Sequence, residues 1–398
     1  VLTLFLIVFV DLVGFGLILP LLPFYAQHFG ASRQMISVLF TMYSFGQFFA
    51  SPFLGRLSDK IGRRPVLIFS QAGNICAYIA LANAHSLALV FIARFFAGIT
   101  AGNIATAQAY IADITTPQNR AKGMGVLGAA FGLGFIIGPA IGGLLTGSVI
   151  TDATLARPAY LAALMSAIAM LGVIFRLPES LTAERRAELQ ANPRVSRLSA
   201  ARNVLGQTAL QQLILAFFIT TIAMGIMETS FTIWANGTFG YGPKQVGFIF
   251  AGIGVVLAGV QGGLIGKLTN RFGEEILVAA GSFLLFAGLV TQPFSRNLPE
   301  LIVTAILIAV GYGIAQPSFN SLMSRRSPAA SQGMVMGVAQ STSSLSRVIG
   351  PLLSGLAFYA GLKAPFMLAA ILMLPVGLLM VGLVRGSGTA APPESSTP

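Results

Sequence analysis

Two carboxylates interrupt runs that are otherwise hydrocarbon. Asp11 lies in Phe9-Val10-Asp11-Leu12-Val13-Gly14-Phe15-Gly16, and Glu228 lies in Met224-Gly-Ile-Met-Glu228-Thr-Ser-Phe. Burial disfavours the charged form of a carboxyl, so a group in such a place can load and release a proton near neutral pH. The alternative for Asp11 is a structural carboxylate that caps or pairs within its own half. Two arginines raise the complementary question. Arg94 stands about seven residues, roughly 10 Å, inside the apolar run that starts at Leu87, which favours a water-facing cavity over snorkelling to the headgroups. Arg347, just before Gly350-Pro351, needs a partner as well. Glu228 is the expected one, as the only acidic residue deep in the second half, and an anionic substrate is the alternative. Asn103, Gln108, Trp234, Gln261, Tyr312, Gln316, Asn320 and Gln340 are the polar and aromatic residues expected to face the same cavity, where they suit an amphipathic, partly aromatic ligand. Interhelical hydrogen bonds are the other use for them.

The elements that must position these groups follow from composition. Of 398 residues, 55% are hydrophobic and 9% charged, against roughly 25% charged in a soluble domain, so no water-facing surface can be built. About twelve apolar runs, each near the ~20 residues needed to cross a bilayer, extend from 1–26 to 364–385. Val1 to Val10 lack the basic start and small-residue cleavage site of a secretory signal and are read as the beginning of the first run. The chain also repeats itself. Gly55-Arg-Leu-Ser-Asp-Lys-Ile-Gly62 returns as Gly266-Lys-Leu-Thr-Asn-Arg-Phe-Gly273, Gly138-Pro-Ala-Ile-Gly-Gly143 as Gly350-Pro-Leu-Leu-Ser-Gly355, and Thr116-Pro117 as Ser327-Pro328. A duplicated six-helix unit places a substrate site between the halves near the bilayer midplane. The expected fold is therefore an all-α membrane protein of two six-helix bundles around a central cavity. Its parts are 1–177, a polar cytoplasmic linker over 178–208, 209–385, and a Ser/Thr/Pro/Gly/Ala tail over 386–398 with nothing to bury.

Net charge +12 raises the question of nucleic acid, and position answers it. Arg56, Lys60, Arg63, Arg64, Arg120, Lys122, Arg185, Lys267, Arg271 and Arg325 fall in one alternate set of loops, with only Arg33, Arg157, Lys244, Arg296 and Lys363 in the other. That asymmetry is a topology signal, which puts both termini in the cytoplasm, so no nucleic-acid partner is expected. A single cysteine, Cys76, excludes an intrachain disulfide and a cysteine-built metal site. With only His28 and His85 and no Ser/His/Asp or metal-ligand spacing, the chain has no machinery for an enzyme. No G-x-x-x-x-G-K-[ST] loop is present to bind ATP.

One loop reads Gly55-Arg56-Leu57-Ser58-Asp59-Lys60-Ile61-Gly62-Arg63-Arg64-Pro65. Gly55 permits close helix approach, Asp59 suits a positive helix N-terminus, and Arg63 and Arg64 can pair with carboxylates. Asp113 is the expected partner of Arg63, with Arg120 nearby, so that the cluster forms a cytoplasmic gate. Anchoring to lipid headgroups is the alternative. The loop matches every defining position of G-x-L-x-D-x-x-G-R-R/K and resembles the signature of the major facilitator superfamily. The fifth run, with Gly134, Gly138, Pro139, Gly142 and Gly143, must be closely packed and bent, and it resembles the G-x-x-x-G-P-x-x-G-G stretch of that superfamily's antiporters. The run from Leu89 through Arg94 to Gly98 and Gly102 resembles another of its motifs, with Ala97 where glutamine is common. The Asp11 segment, continuing to Pro20-Leu21-Leu22-Pro23, is similar to that of tetracycline efflux and other drug:proton antiporters. The segment from Glu228 through Trp234 to Lys244 is similar to the seventh helix of quinolone and multidrug efflux proteins, where a glutamate takes part in coupling.

The resemblance implies the major facilitator fold and a twelve-helix, proton-coupled exporter of amphipathic or cationic small molecules. It implies no cofactor, with a proton gradient as the energy source, and as partners a small-molecule substrate, protons and the lipid bilayer. A monomer in a bacterial inner membrane is expected. Departures limit the substrate: the tetracycline pumps' acidic residues in the third and ninth helices are absent, and Gly313 stands where the quinolone pumps have an aspartate. The competing reading is a proton-coupled or facilitative transporter of one metabolite or lipid, including an anionic one held by Arg94 or Arg347.

Overall fold

The computed structural model describes residues 2–101, 103–115, 120–148, 150–182, 208–327 and 332–387, and among them every regular element is helical. The first half holds α1 (Leu2–Ile18), α2 (Leu22–His28), α3 (Arg33–Ile61), α4 (Arg63–Ala82), α5 (Leu87–Thr100), α6 (Asn103–Ile114), α7 (Arg120–Thr146) and α8 (Asp152–Arg176). The second holds α9 (Thr208–Phe239), α10 (Pro243–Gly259), α11 (Ile265–Phe272), α12 (Glu274–Thr291), α13 (Leu298–Arg325), α14 (Gln332–Ala357) and α15 (Ala364–Ser387). Most of the expected linker, and the tail from 388, lie outside the described residues.

Helix ends follow local chemistry. Ser32, Ser86 and Asn297 accept the backbone N–H three residues on and start α3, α5 and α13, while Thr151 and Thr154 cap α8 reciprocally; each satisfies a donor that the first helical turn leaves open. Gly62 and Gly273, equivalent positions of the repeat, both take positive φ, 111° and 78°, a region that side chains with a β-carbon avoid. Both copies of the loop therefore turn into the next helix in the same way.

Among the described residues eight helices are long and apolar enough to span a bilayer. The expected count of about twelve rests on four further elements. α3 and α14 run 29 and 26 residues but are diluted by Ser, Thr and Gln, and α5 and α7 offer shorter apolar stretches, Leu87–Thr100 and Gly132–Thr146. Large apolar side chains such as Phe53, Phe175 and Leu378 point outward, which hydrocarbon solvates and water does not.

By packing, the chain forms two units, Val1–Val195 with Gly225–Val255 and Arg347–Pro365, and Ser196–Met224 with Val256–Ser346 and Phe366–Pro398. These do not follow the boundary of the repeat: parts of α10 and α14 are held against first-half helices by small residues. In the first unit, a β-carbon at Gly143 would stand 2.7 Å from the Pro243 carbonyl oxygen of α10, and one at Gly355 of α14 2.9 Å from Ser37 Cβ of α3. Gly143 and Gly355 are the same position of the duplicated motif. In the second unit α12 and α13 approach at Gly281 and Gly311, and Glu274 and Glu275 at the start of α12 pair with Arg325 and Arg326 at the end of α13.

The approach that fixes the Asp11 helix is between α1 and α7. A β-carbon at Gly134 would lie 2.8 Å from Leu12 Cβ, and one at Gly138 2.7 Å from Gly16 Cα. Backbones meet there with no room for a side chain, and Pro139 lies inside α7 beside the contact. Gly138→Val is expected to separate α1 from α7 at a cost of about 3 kcal/mol or more, the upper range for overpacking. Detergent-solubilised variant should show a lowered thermal unfolding midpoint and a loss of monodisperse protein.

Candidate functional site

Two polar clusters stand out in the first unit. One surrounds the loop between α3 and α4. Arg63 is 2% exposed, and its guanidinium makes three side-chain bonds: Nη1 donates to Asp59 Oδ1 (2.5 Å) and Ser58 Oγ (2.7 Å), and Nε donates to Asp113 Oδ2 (3.0 Å). Asp113 comes from the end of α6, so the structure joins the two residues that the sequence paired. Arg64 turns elsewhere, donating to the Ile174 carbonyl of α8. The side chain of Arg120 lies outside the described residues. Gly55 sits one turn before Ser58, whose hydroxyl donates to its carbonyl.

The carboxylate on the start of α4 is one that sequence reasoning placed in the linker. Glu179 Oε1 accepts from the Arg63 N–H (2.8 Å) and Oε2 from the Arg64 N–H (3.0 Å). This meets two open donors of the first turn and sets a negative charge at the positive end of the helix dipole. Around it, Ser180 Oγ donates to Asp113 Oδ2 (3.1 Å) and the Tyr110 hydroxyl to the Pro178 carbonyl (2.8 Å). Leu177 and Leu181 are buried on either side. The only sequence sign was an acid directly after Pro178, at the end of an apolar run.

The second cluster lies at mid-helix. A cavity of about 40 Å³ is lined by Asp11 and Phe15 of α1, Tyr43 and Gln47 of α3, Asn74 and Tyr78 of α4, Ala97 and Ala101, Phe135 of α7, and Arg347 of α14. Asp11 and Arg347, singled out separately in the sequence, thus share one chamber. Glu228, on α9, lies within electrostatic reach of Arg347. Arg94, on α5, is 2% exposed and stacks its guanidinium 4.5 Å from the centre of the Tyr43 ring, a cation–π contact. Its Nε and Nη1 have no hydrogen-bond partner. The stacking depends on small residues, since α3 and α5 meet backbone to backbone where Gly46 faces Phe95 and Gly98 faces Tyr43. Tyr43, Gln47, Asn74 and Tyr78 were not marked in the sequence, where nothing separates a cavity-facing amide or phenol from any other.

The remaining candidates are not gathered here. Trp234 is fully buried and packs edge-on to Phe239, 5.5 Å between ring centres. Gln108 is half-buried on α6, and the side chain of Asn103 lies outside the described residues. Gln261, Tyr312, Gln316, Asn320 and Gln340 belong to the second unit. There Gln261 is exposed in a π-helical turn, Val260–Leu264, and Tyr312, Gln316 and Asn320 are half-buried on α13. Gly134, Gly138, Pro139, Gly142 and Gly143 form the packed face of α7 described above.

Apolar helices of membrane-spanning length, with a charged loop joint and ionisable groups at mid-helix, have the build of an integral membrane transporter. The profile of the Major Facilitator Superfamily matches residues 4–351 and 262–398, and the chain belongs to that family. It is 34% identical to the class C tetracycline resistance protein of Escherichia coli over 347 residues, 86% of this chain and 85% of that one. It is 29% identical to multidrug resistance protein 2 of Bacillus subtilis (strain 168), over 96% of this chain and 95% of that one. The structure of the human organic anion transporter MFSD10 (TETRAN) superposes with a TM-score of 0.71 at 27% identity, covering 95% of this chain and 98% of that one.

Glu179→Ala removes two charge-assisted bonds from the start of α4. A loss of about 2 kcal/mol corresponds to an opening about 30-fold more frequent. Hydrogen–deuterium exchange of the Arg63 and Arg64 amides is expected to rise by that factor, while the amides of α13 keep their parental rates.

Proposed function

We propose that this protein is a proton-coupled antiporter that exports amphipathic or cationic organic molecules across a bacterial inner membrane, with both termini in the cytoplasm. It works as a monomer, takes its energy from the proton gradient and needs no cofactor. The observation that carries the reading is the shared chamber of Asp11 and Arg347, with Glu228 in electrostatic reach of Arg347. One ordered water needs about 10–15 Å³ of such volume, whereas drug-sized ligands need hundreds. A chamber of about 40 Å³ therefore holds a few waters and suits a proton site, with substrate admitted only when the helices part.

In this reading Asp11 and Glu228 carry protons and Arg347 answers to both. Substrate arriving from the cytoplasm favours their release, and reloading from outside resets the cycle. The Arg63 cluster closes the cytoplasmic side, and the Gly143–Pro243 and Gly355–Ser37 contacts close the outer side. Export is supported by the tetracycline and multidrug resistance relatives and by the glycine-proline face of α7. The two repeated six-helix halves, 1–177 and 209–385, are the bodies that alternate.

A second reading has one observation in its favour: the buried Arg94 guanidinium, with two unpartnered nitrogens, suits an organic anion such as the human relative's name describes. The two readings differ in the sign of the proton movement. Adding tetracycline or ethidium to detergent-purified protein should release protons from an exchanger, whereas an anion carried together with protons would take them up. In liposomes with an imposed pH gradient, Asp11→Asn and Glu228→Gln are each expected to slow transport of these probes about tenfold or more, the scale of a lost site-to-site coupling. Parental rates in both variants would refute proton coupling at these positions.

A further inference from the structure

Asp11 does not meet its surroundings through chance contacts. Asn74 Nδ2 lies 3.3 Å from Asp11 Oδ1, and the other end of that amide, Oδ1, accepts from the Thr100 hydroxyl at 2.6 Å. Asn74 is 6% and Thr100 1% exposed, so bulk water does not compete. The hydroxyl has a single proton, and its other acceptors, the Phe96 and Ala97 carbonyls, are more distant at 3.3 and 3.1 Å. Its bond to Asn74, the shortest of the three, goes with an amide whose NH₂ end faces Asp11. The contact is held by the approach of α4 to α5, because a β-carbon at Gly73 would stand 3.0 Å from Thr100 Cβ.

We propose that Asn74, locked by Thr100, is a positioning residue that presents a fixed N–H donor to Asp11 and thereby sets the pH at which Asp11 gives up its proton. The proposal rests on the reading of Asp11 as a proton carrier. A donor can stabilise a carboxylate, but it cannot accept the proton of a carboxylic acid, so the locked amide favours the ionised form over the neutral one. Unlocked, the amide can turn its oxygen to the acid and hold the proton in place. The titratable and charged groups around Asp11 are Tyr43 of α3, Tyr78 of α4 and Arg347 of α14, with Arg94 beyond Tyr43 and Glu228 beyond Arg347. α7, packed along α1, adds only Phe135 to the chamber, and α8 adds none of its lining. Helix pairing alone would also explain a Thr–Asn bond, and only a titration separates the two roles.

The test is an infrared pH titration of the full chain in lipid nanodiscs, with the protonated-carboxyl band of Asp11 assigned by its loss in Asp11→Asn. Thr100→Val keeps the shape of the side chain and removes the hydroxyl, and Asn74→Leu removes the donor. In both, the pH at which the band is half developed is expected to move up by about one unit, a tenfold tighter hold on the proton. Thr100→Ser should return it to the parental position. If the band titrates but stays put in Thr100→Val and Asn74→Leu, the positioning role is overturned and Asp11 remains a carrier. If the parent shows no Asp11 band titrating between about pH 5 and 9, the carrier reading falls, and this proposal with it.

Discussion

Hydrocarbon cannot hydrate a charge, so each ionised side chain that this protein keeps inside its bundle must be met by protein groups or by enclosed water. The molecule answers in three ways. Arg63 is surrounded by two carboxylates and a hydroxyl, with Glu179 on its backbone N–H. Arg94 is met by the face of an aromatic ring. Asp11 and Arg347 are met by a small chamber to which Gln47, Asn74 and two tyrosines bring polar groups. These solutions differ in how easily they can be undone. A multiply bonded guanidinium is expensive to break, since removing one partner of a buried pair costs about 3–5 kcal/mol, which suits a latch. A ring contact or a few waters can be rearranged at far lower cost.

The same constraint explains why the two copies of the repeated loop are not built alike. In the second copy, Glu274 and Glu275 begin α12, where the helix dipole welcomes negative charge, and their arginine partners come from the end of α13. The first copy reverses the signs, placing Arg63 and Arg64 at the start of α4, where the dipole opposes them. The reversal is balanced by a third carboxylate brought from beyond α8. Arg325 is largely exposed in its pair, so the second joint is screened by solvent and contributes little. The buried joint is the first one, and Glu179 and Ser180 tie the segment after α8 into it.

Close packing by glycine is what allows such economy of charged groups. Where α1 meets α7 at Gly16 and Gly138, α3 meets α5 at Gly46 and Gly98, and α4 meets α5 at Gly73, backbones approach closely enough for short side chains to reach across. Tyr43 lies on Arg94 and Thr100 reaches Asn74 only because of these approaches. Each glycine therefore acts on the chemistry at a distance, by setting which side chains can touch.

Composition and the loop charges were enough to read a helical membrane protein, and the signature loop pointed to its family. Arg63 with Asp113 was legible as well, because the signature loop and the end of the fourth run put the two charges at the same face of the membrane. Asn74, Thr100, Tyr43 and Glu179 announced nothing. An amide or hydroxyl in a membrane run looks the same whether it faces a chamber, a neighbouring helix or lipid, and a glutamate in a polar segment looks like any solvated acid. Their roles depend on rotation and crossing of helices far apart in the chain, which side-chain packing settles only when the bundle is assembled. The class of the protein was thus present in the order of its residues, while the partners of its buried charges came into being with the contacts between helices.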